Sequence, residues 1–212
     1  MNRIETALQA LQEKKEKAFI TYITAGLPDY DKTKAIIKAQ EAAGTDIIEL
    51  GIPFSDPVAD GPVIQAASYE AILGGANLEK TFTCMKEMRD DGVQIPIVFM
   101  MYYNTVLHYG VEKFVKECMH KIGGKFDGLI FSAGIERCIP IRGENIERIR
   151  EFYNVSCISY FSLLKEFSSK QVLSDGGSIV AISSRSALFP EKGYLGYGTA
   201  KAAINAASIV AC

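Results

Sequence analysis

The chain has 212 residues, 48% of them hydrophobic, and a net charge of −2, enough for one good core and short for two. Both charge signs are mixed along it with no basic stripe, which excludes a nucleic-acid surface. Its longest apolar runs, such as Ile95 to Met101, fall far below the roughly 20 residues of a membrane span.

In chain order, the first segment, MNRIETALQALQEKKEK, has helical spacing at Ile4, Leu8 and Leu11. It lacks the cationic start and apolar block of a signal peptide. Ala18–Thr24 reads as a buried strand broken by Gly26-Leu-Pro-Asp, and Lys34–Ala43 as a helix ended by Gly44. Asp46–Leu50 is the second strand, followed by a Pro/Gly/Asp loop from Gly51 to Pro62. Helices are expected over Val63–Leu73 and Leu78–Asp90, a strand over Ile95–Tyr102 and a helix over Val111–Ile122. Beyond a compositional seam at Lys121-Ile-Gly-Gly-Lys125 the alternation continues. Phe126–Phe131 reads as a strand, Glu144–Gln171 as a long helix, Ser178–Ser183 as a strand, and Tyr197 to Cys212 as a helix. Strands alternating with helices predict an α/β fold with a parallel sheet. Five cysteines (Cys84, Cys118, Cys138, Cys157 and Cys212) without pairing or metal spacing fit free thiols in a reducing cytoplasm. With only His108 and His120 beside them, no metal site is expected.

Chemistry concentrates in the block from Glu49 to Gln65, ELGIPFSDPVADGPVIQ. Glu49 ends an otherwise apolar strand, so its carboxylate is either held by hydrogen bonds or used as an acid or base. Asp56 and Asp60 follow in the loop, at the end of a parallel strand where such folds place chemistry. The plainer reading makes these aspartates turn formers beside Pro and Gly. The block, together with Ala18–Gly26, Met101-Tyr-Tyr-Asn and Tyr109-Gly-Val, resembles the tryptophan synthase α subunit, a (β/α)₈ barrel, over about residues 1–120. The resemblance implies cleavage of indole-3-glycerol phosphate into indole and glyceraldehyde 3-phosphate. It places Glu49 and Asp60 as the catalytic acid/base pair and Tyr102 in the indole pocket. That family's late glycine-rich phosphate loops and its closing loop have no counterpart in this sequence.

The segment after the seam resembles a second family, the short-chain dehydrogenases, over about residues 126–210. Phe126–Ile135 resembles the strand ending Asn-Asn-Ala-Gly, with Phe131 and Ser132 in place of the asparagines. Tyr197-Gly-Thr-Ala-Lys201 fits a Tyr-x-x-x-Lys motif, and Ser184 lies 13 residues before Tyr197. A lysine one turn from a phenol lowers its pKa and readies it for proton transfer. The plainer reading is a helix start with a surface Tyr and Lys. Ser156 stands where that family has a helix asparagine, and no glycine-rich dinucleotide turn follows the first strand.

These readings combine into one expectation: a recombined or engineered chimera without native catalytic activity. It would be a single α/β domain over 1–212, with 1–122 from the half barrel and 123–212 from the dehydrogenase. Its expected form is a three-layer, Rossmann-like open parallel sheet of five strands in order 3-2-1-4-5. The alternative is an open half (β/α)₈ barrel in order 1-2-3-4-5. Glu49, Asp60, Ser184, Tyr197 and Lys201 would then be vestigial catalytic residues, and Tyr102 a substrate-binding remnant. No cofactor, nucleic acid or membrane is expected. A homodimer is allowed, and the crevice at the strand ends is suited to a small molecule or anion. The alternatives in function are residual lyase-type binding or cleavage of indole-3-glycerol phosphate, and a residual nicotinamide-dependent reductase.

Overall fold

The computed structural model describes residues 3–122 and 124–211. The chain divides into two compact units, Met1–Gly124 and Lys125–Cys212. Gly123 of the seam and the terminal Cys212 lie outside the described residues, as do Met1 and Asn2.

The first unit runs α1 (Arg3–Lys14), β1 (Ile20–Thr24), α2 (Tyr30–Ala42), β2 (Ile47–Gly51), α3 (Pro62–Leu73), α4 (Leu78–Asp90), β3 (Ile97–Met100), α5 (Tyr103–Tyr109) and α6 (Val111–Ile122). Its strands pair in parallel in the order β1-β2-β3. Two of its helices, α2 and α4, start where a side chain satisfies an orphan amide. Asp29 accepts from the Lys32 N–H at 2.7 Å to open α2, and Asn77 accepts from the Lys80 N–H at 2.9 Å to open α4. The apolar stripe of α4, with Phe82, Met85 and Met88, is fully sequestered. Phe82 packs on Phe99 of β3 and Phe114 of α6, with ring centroids 6.1 and 6.0 Å apart.

The two faces of this sheet differ. Ile48 and Leu50 are wholly buried on the face that meets the helices. The register sets Tyr22, Glu49 and Val98 side by side on the other face, with Thr24, Gly51 and Met100 one step further on. Ile20 and Met100, on that second face, keep about half their surface exposed (49% and 48%). The strand ends also differ from expectation. Asp46 stays out of β2 because its carboxylate accepts the Phe19 N–H at 2.7 Å, so β1 begins only at Ile20. The run Ile95–Tyr102 gives a four-residue strand, after which Tyr102 caps the unexpected helix α5.

The second unit runs β4 (Phe126–Phe131), α7 (Ile146–Tyr153), a π turn at Asn154–Ile158, α8 (Ser159–Phe167), β5 (Leu173–Ala181) and α9 (Leu195–Val210). Short 3₁₀ turns occupy Ile141–Gly143 and Arg185–Ala187. β4 and β5 pair in parallel. The ladder joins Phe126 to Leu173 and then Gly128 to Ser178, so Ser174–Gly177 form an irregularity opposite Asp127. β5 therefore starts five residues before the expected Ser178, because the turn-like Ser-Asp-Gly-Gly is absorbed as a bulge. The core gathers Phe131, Phe152, Tyr160, Leu163, Phe167 and Ile204. The fold is α/β with parallel strands and no closed barrel among the described residues. Among the described residues the strands pair as a three-stranded sheet in the first unit and a two-stranded sheet in the second. The neighbours observed, β1-β2-β3 and β4-β5, occur in both strand orders expected.

Candidate active site at the strand ends of the first unit

Glu49 sits at the centre of β2, half-buried on the less covered face, between Tyr22 and Val98. Two residues on, Gly51 takes its place under the Tyr22 ring: a Cβ at Gly51 would collide with the Tyr22 hydroxyl. Glycine is therefore required there by close approach, and the approach turns the tyrosine along the sheet toward the C-terminal end of β2. Tyr22 lies within a strand segment singled out in the sequence, yet only the register shows that it neighbours Glu49.

The loop after β2 brings Asp60 back over the strand ends. Tyr102, two residues beyond β3, donates its hydroxyl proton to Asp60 Oδ2 at 3.1 Å. The Tyr102 hydroxyl oxygen in turn accepts the Ala59 N–H at 2.9 Å. Its ring stacks on Phe54 at 4.9 Å with an interplanar angle of 23°. Burial, reinforced by the neighbouring Asp60 carboxylate, raises the Tyr102 pKa above its ordinary value and keeps the phenol a proton donor. Asp56 is exposed, and its carboxylate accepts from Ser55 Oγ at 2.7 Å. Of the residues singled out from the sequence, Asp60 and Tyr102 thus meet beyond the strand ends, and Glu49 lies at the middle of β2, the strand from which the Asp60 loop leaves. Two residues without an assigned role join them, Phe54 by stacking and Gln65 by hydrogen bonds to the loop main chain.

The residues singled out in the second unit are otherwise engaged. Ser184 Oγ accepts the Ser186 N–H at 3.2 Å and caps the 3₁₀ turn. Lys201 is 4% exposed and donates to the Ile182 carbonyl at 2.7 Å. Burial lowers its pKa, with Cys157 opposing the shift. Tyr197 lies in the first turns of α9, its ring 5.9 Å from that of Tyr194. Ser156, in the π turn, is fully buried, and its Oγ has no hydrogen-bond partner among the described residues. Cys84, Cys118 and Cys157 are free and buried, and Cys138 is free and exposed. Burial pushes the Cys84 thiol up to about 11. Among the described residues no cluster of three His, Cys, Asp or Glu is placed to hold a metal. None of the described helices is long and apolar enough to cross a membrane.

Comparison with known proteins places the chain. The tryptophan synthase alpha chain family matches residues 8–132, more than half of it. A second family, enoyl-(acyl carrier protein) reductase, matches residues 108–211, just under half, and overlaps the first. A tryptophan synthase alpha chain of Lachnospira eligens is 63% identical over 130 residues, 61% of this chain and 48% of the relative. That of Alkaliphilus metalliredigens is 43% identical over 186 residues, 87% of this chain and 66% of the relative. The chain thus spans about half to two thirds of the length of these relatives. Among solved structures, a protein from Aquifex aeolicus is 27% identical over 89% of this chain and 83% of its own, with a TM-score of 0.53. The tryptophan synthase alpha subunit of Legionella pneumophila shares the fold, with a TM-score of 0.57 over 97% of this chain and 99% of its own at 21% identity.

The Alkaliphilus relative corrects the expectation of an inactive chimera. Its 186-residue match runs far past residue 132, into the segment expected to descend from a dehydrogenase. A de novo or engineered origin and a dehydrogenase half are set aside on the same ground. The likeness after the seam that carried that expectation is the one the reductase family match reports over residues 108–211, partial and overlapping the tryptophan synthase alpha chain match. The chain belongs to the tryptophan synthase alpha chain family.

Proposed function

We propose that this chain is a lyase that binds and cleaves indole-3-glycerol phosphate, with Glu49 and Asp60 as the acid/base pair. The observation that carries this reading is the hydrogen bond from Tyr102 to Asp60, which anchors the second carboxylate at the strand ends beside the strand that bears the first. The reaction breaks the bond between the indole ring and the glycerol carbon. The ring carbon gains a proton, and the hydroxyl of the departing carbon loses one as it becomes an aldehyde. Two carboxyl groups, one protonated and one ionised, supply both transfers. The balance is complete with protons alone, so the reading invokes no cofactor. Tyr102 and Phe54 offer a flat aromatic wall suited to an indole ring.

The test is turnover of indole-3-glycerol phosphate followed by indole release, with a non-cleavable analogue lacking the glycerol hydroxyls to measure binding. Turnover by the unmodified chain, abolished in Glu49→Gln and cut at least about a hundredfold in Asp60→Asn, is expected. Neither turnover nor saturable analogue binding at millimolar concentration would reject the reading.

A further inference from the structure

The loop that carries Asp60 is poorly held by burial. Val58 is 87% exposed and Val63, just inside α3, is 80% exposed. Hydrogen bonds must therefore fix it. Within the loop, the Val58 N–H donates to Asp56 O at 2.8 Å and the Asp60 N–H to Pro57 O at 3.0 Å, closing a tight turn. From one side Tyr102 takes the Ala59 N–H and the Asp60 carboxylate. From the other side one side chain closes the turn. Gln65 Nε2 donates to Asp60 O at 2.9 Å and reaches Pro57 O at 3.3 Å, the carbonyls at the two ends of that turn.

We infer that Gln65 is a positioning residue for Asp60: its amide locks the main chain on either side of the turn so that the carboxylate is presented toward Tyr102 and the sheet end. This rests on the lyase reading above. The anchor is rigid because the Gln65 N–H itself donates to Gly61 O at 3.0 Å in the first turn of α3, behind Pro62. Side-chain chemistry selects glutamine. A primary amide offers two protons to two carbonyl oxygens, whereas the isosteric glutamate would set acceptors against acceptors, and methionine would fill the space without donating. Gln65 is solvent-exposed, so substitution leaves the core intact.

The experiment compares the full-length chain with Gln65→Met and Gln65→Glu. Amide exchange at Ala59 and Asp60 is read against the reference amides of Ile48 and Leu50, beside kcat and KM for indole-3-glycerol phosphate. In both variants exchange at Ala59 and Asp60 should rise about fivefold while the reference amides stay unchanged. kcat should fall about tenfold with KM within about twofold, the pattern of a displaced catalytic group with substrate binding intact. Loop exchange within about twofold of the unmodified chain would overturn the inference, as would faster exchange with kcat unchanged. If the unmodified chain shows no turnover, the lyase reading fails by itself, and the exchange measurement still decides whether Gln65 holds the turn.

Discussion

Tyr102 does more than line a pocket: its hydroxyl accepts one loop amide and donates to one carboxylate. Tyr102→Phe keeps the stack on Phe54 and removes both hydrogen bonds. It should lower kcat/KM by about tenfold and stability by about 1 kcal/mol, measured by steady-state kinetics and urea unfolding. Gly51 is fixed by the tyrosine above it. Gly51→Ala should destabilise the first unit by about 1–3 kcal/mol through overpacking, read as a lower urea midpoint. Lys201 gives a pH-dependent outcome. Burial holds its folded-state pKa below the ordinary 10.5. Between those two values the unfolded chain binds more protons, so stability gains with rising pH, and the cost of the buried charge is full only below the folded value. Unfolding midpoints at pH 8 and pH 10.5 should therefore move in favour of the unmodified chain relative to Lys201→Met as pH rises. A gap that stays constant or moves the other way would contradict the assignment.

The starts of α2, α4 and α7 each use one capping side chain. Asn77 opens α4, whose buried face supplies much of the first core. Asn77→Ala should cost about 1 kcal/mol, checked by thermal or urea unfolding. The start of α4 at Leu78 was legible in the sequence, whereas α2 begins at Tyr30, four residues before the expected Lys34, because the Asp29 cap extends the helix back toward the turn. The short helix α5 was not legible, because Tyr102 and Tyr103 extend the apolar run of the strand and carry no capping side chain. The long helix expected over Glu144–Gln171 is interrupted by the π turn at Asn154–Ile158, an insertion in the hydrogen-bond ladder that side-chain periodicity does not register. The bulge in β5 hid for a related reason: Ser174–Gly177 has turn composition, yet the ladder resumes beyond it.

In the molecule as a whole, stability should be graded outward from β2, the central strand of its sheet. Amides of Ile48 and Leu50 should exchange slowest in the first unit and those of the loop before Pro62 fastest, measurable by mass spectrometry or NMR. Composition and alternation alone were enough for an α/β fold with parallel strands, since buried strands and amphipathic helices leave periodic marks in any sequence. The Glu49–Gln65 block likewise marked the family and the two carboxylates, because those residue types cluster within one short stretch. The likeness after the seam misled, since a resemblance confined to part of a chain does not give the lineage of the whole. The tertiary structure alone decided that Tyr22 stands beside Glu49, that Tyr102 grips Asp60 from about forty residues away, and that Lys201 turns inward to a main-chain carbonyl. These are matters of strand register and loop return. They are set by which distant groups meet across the sheet, and distance along the chain does not encode them.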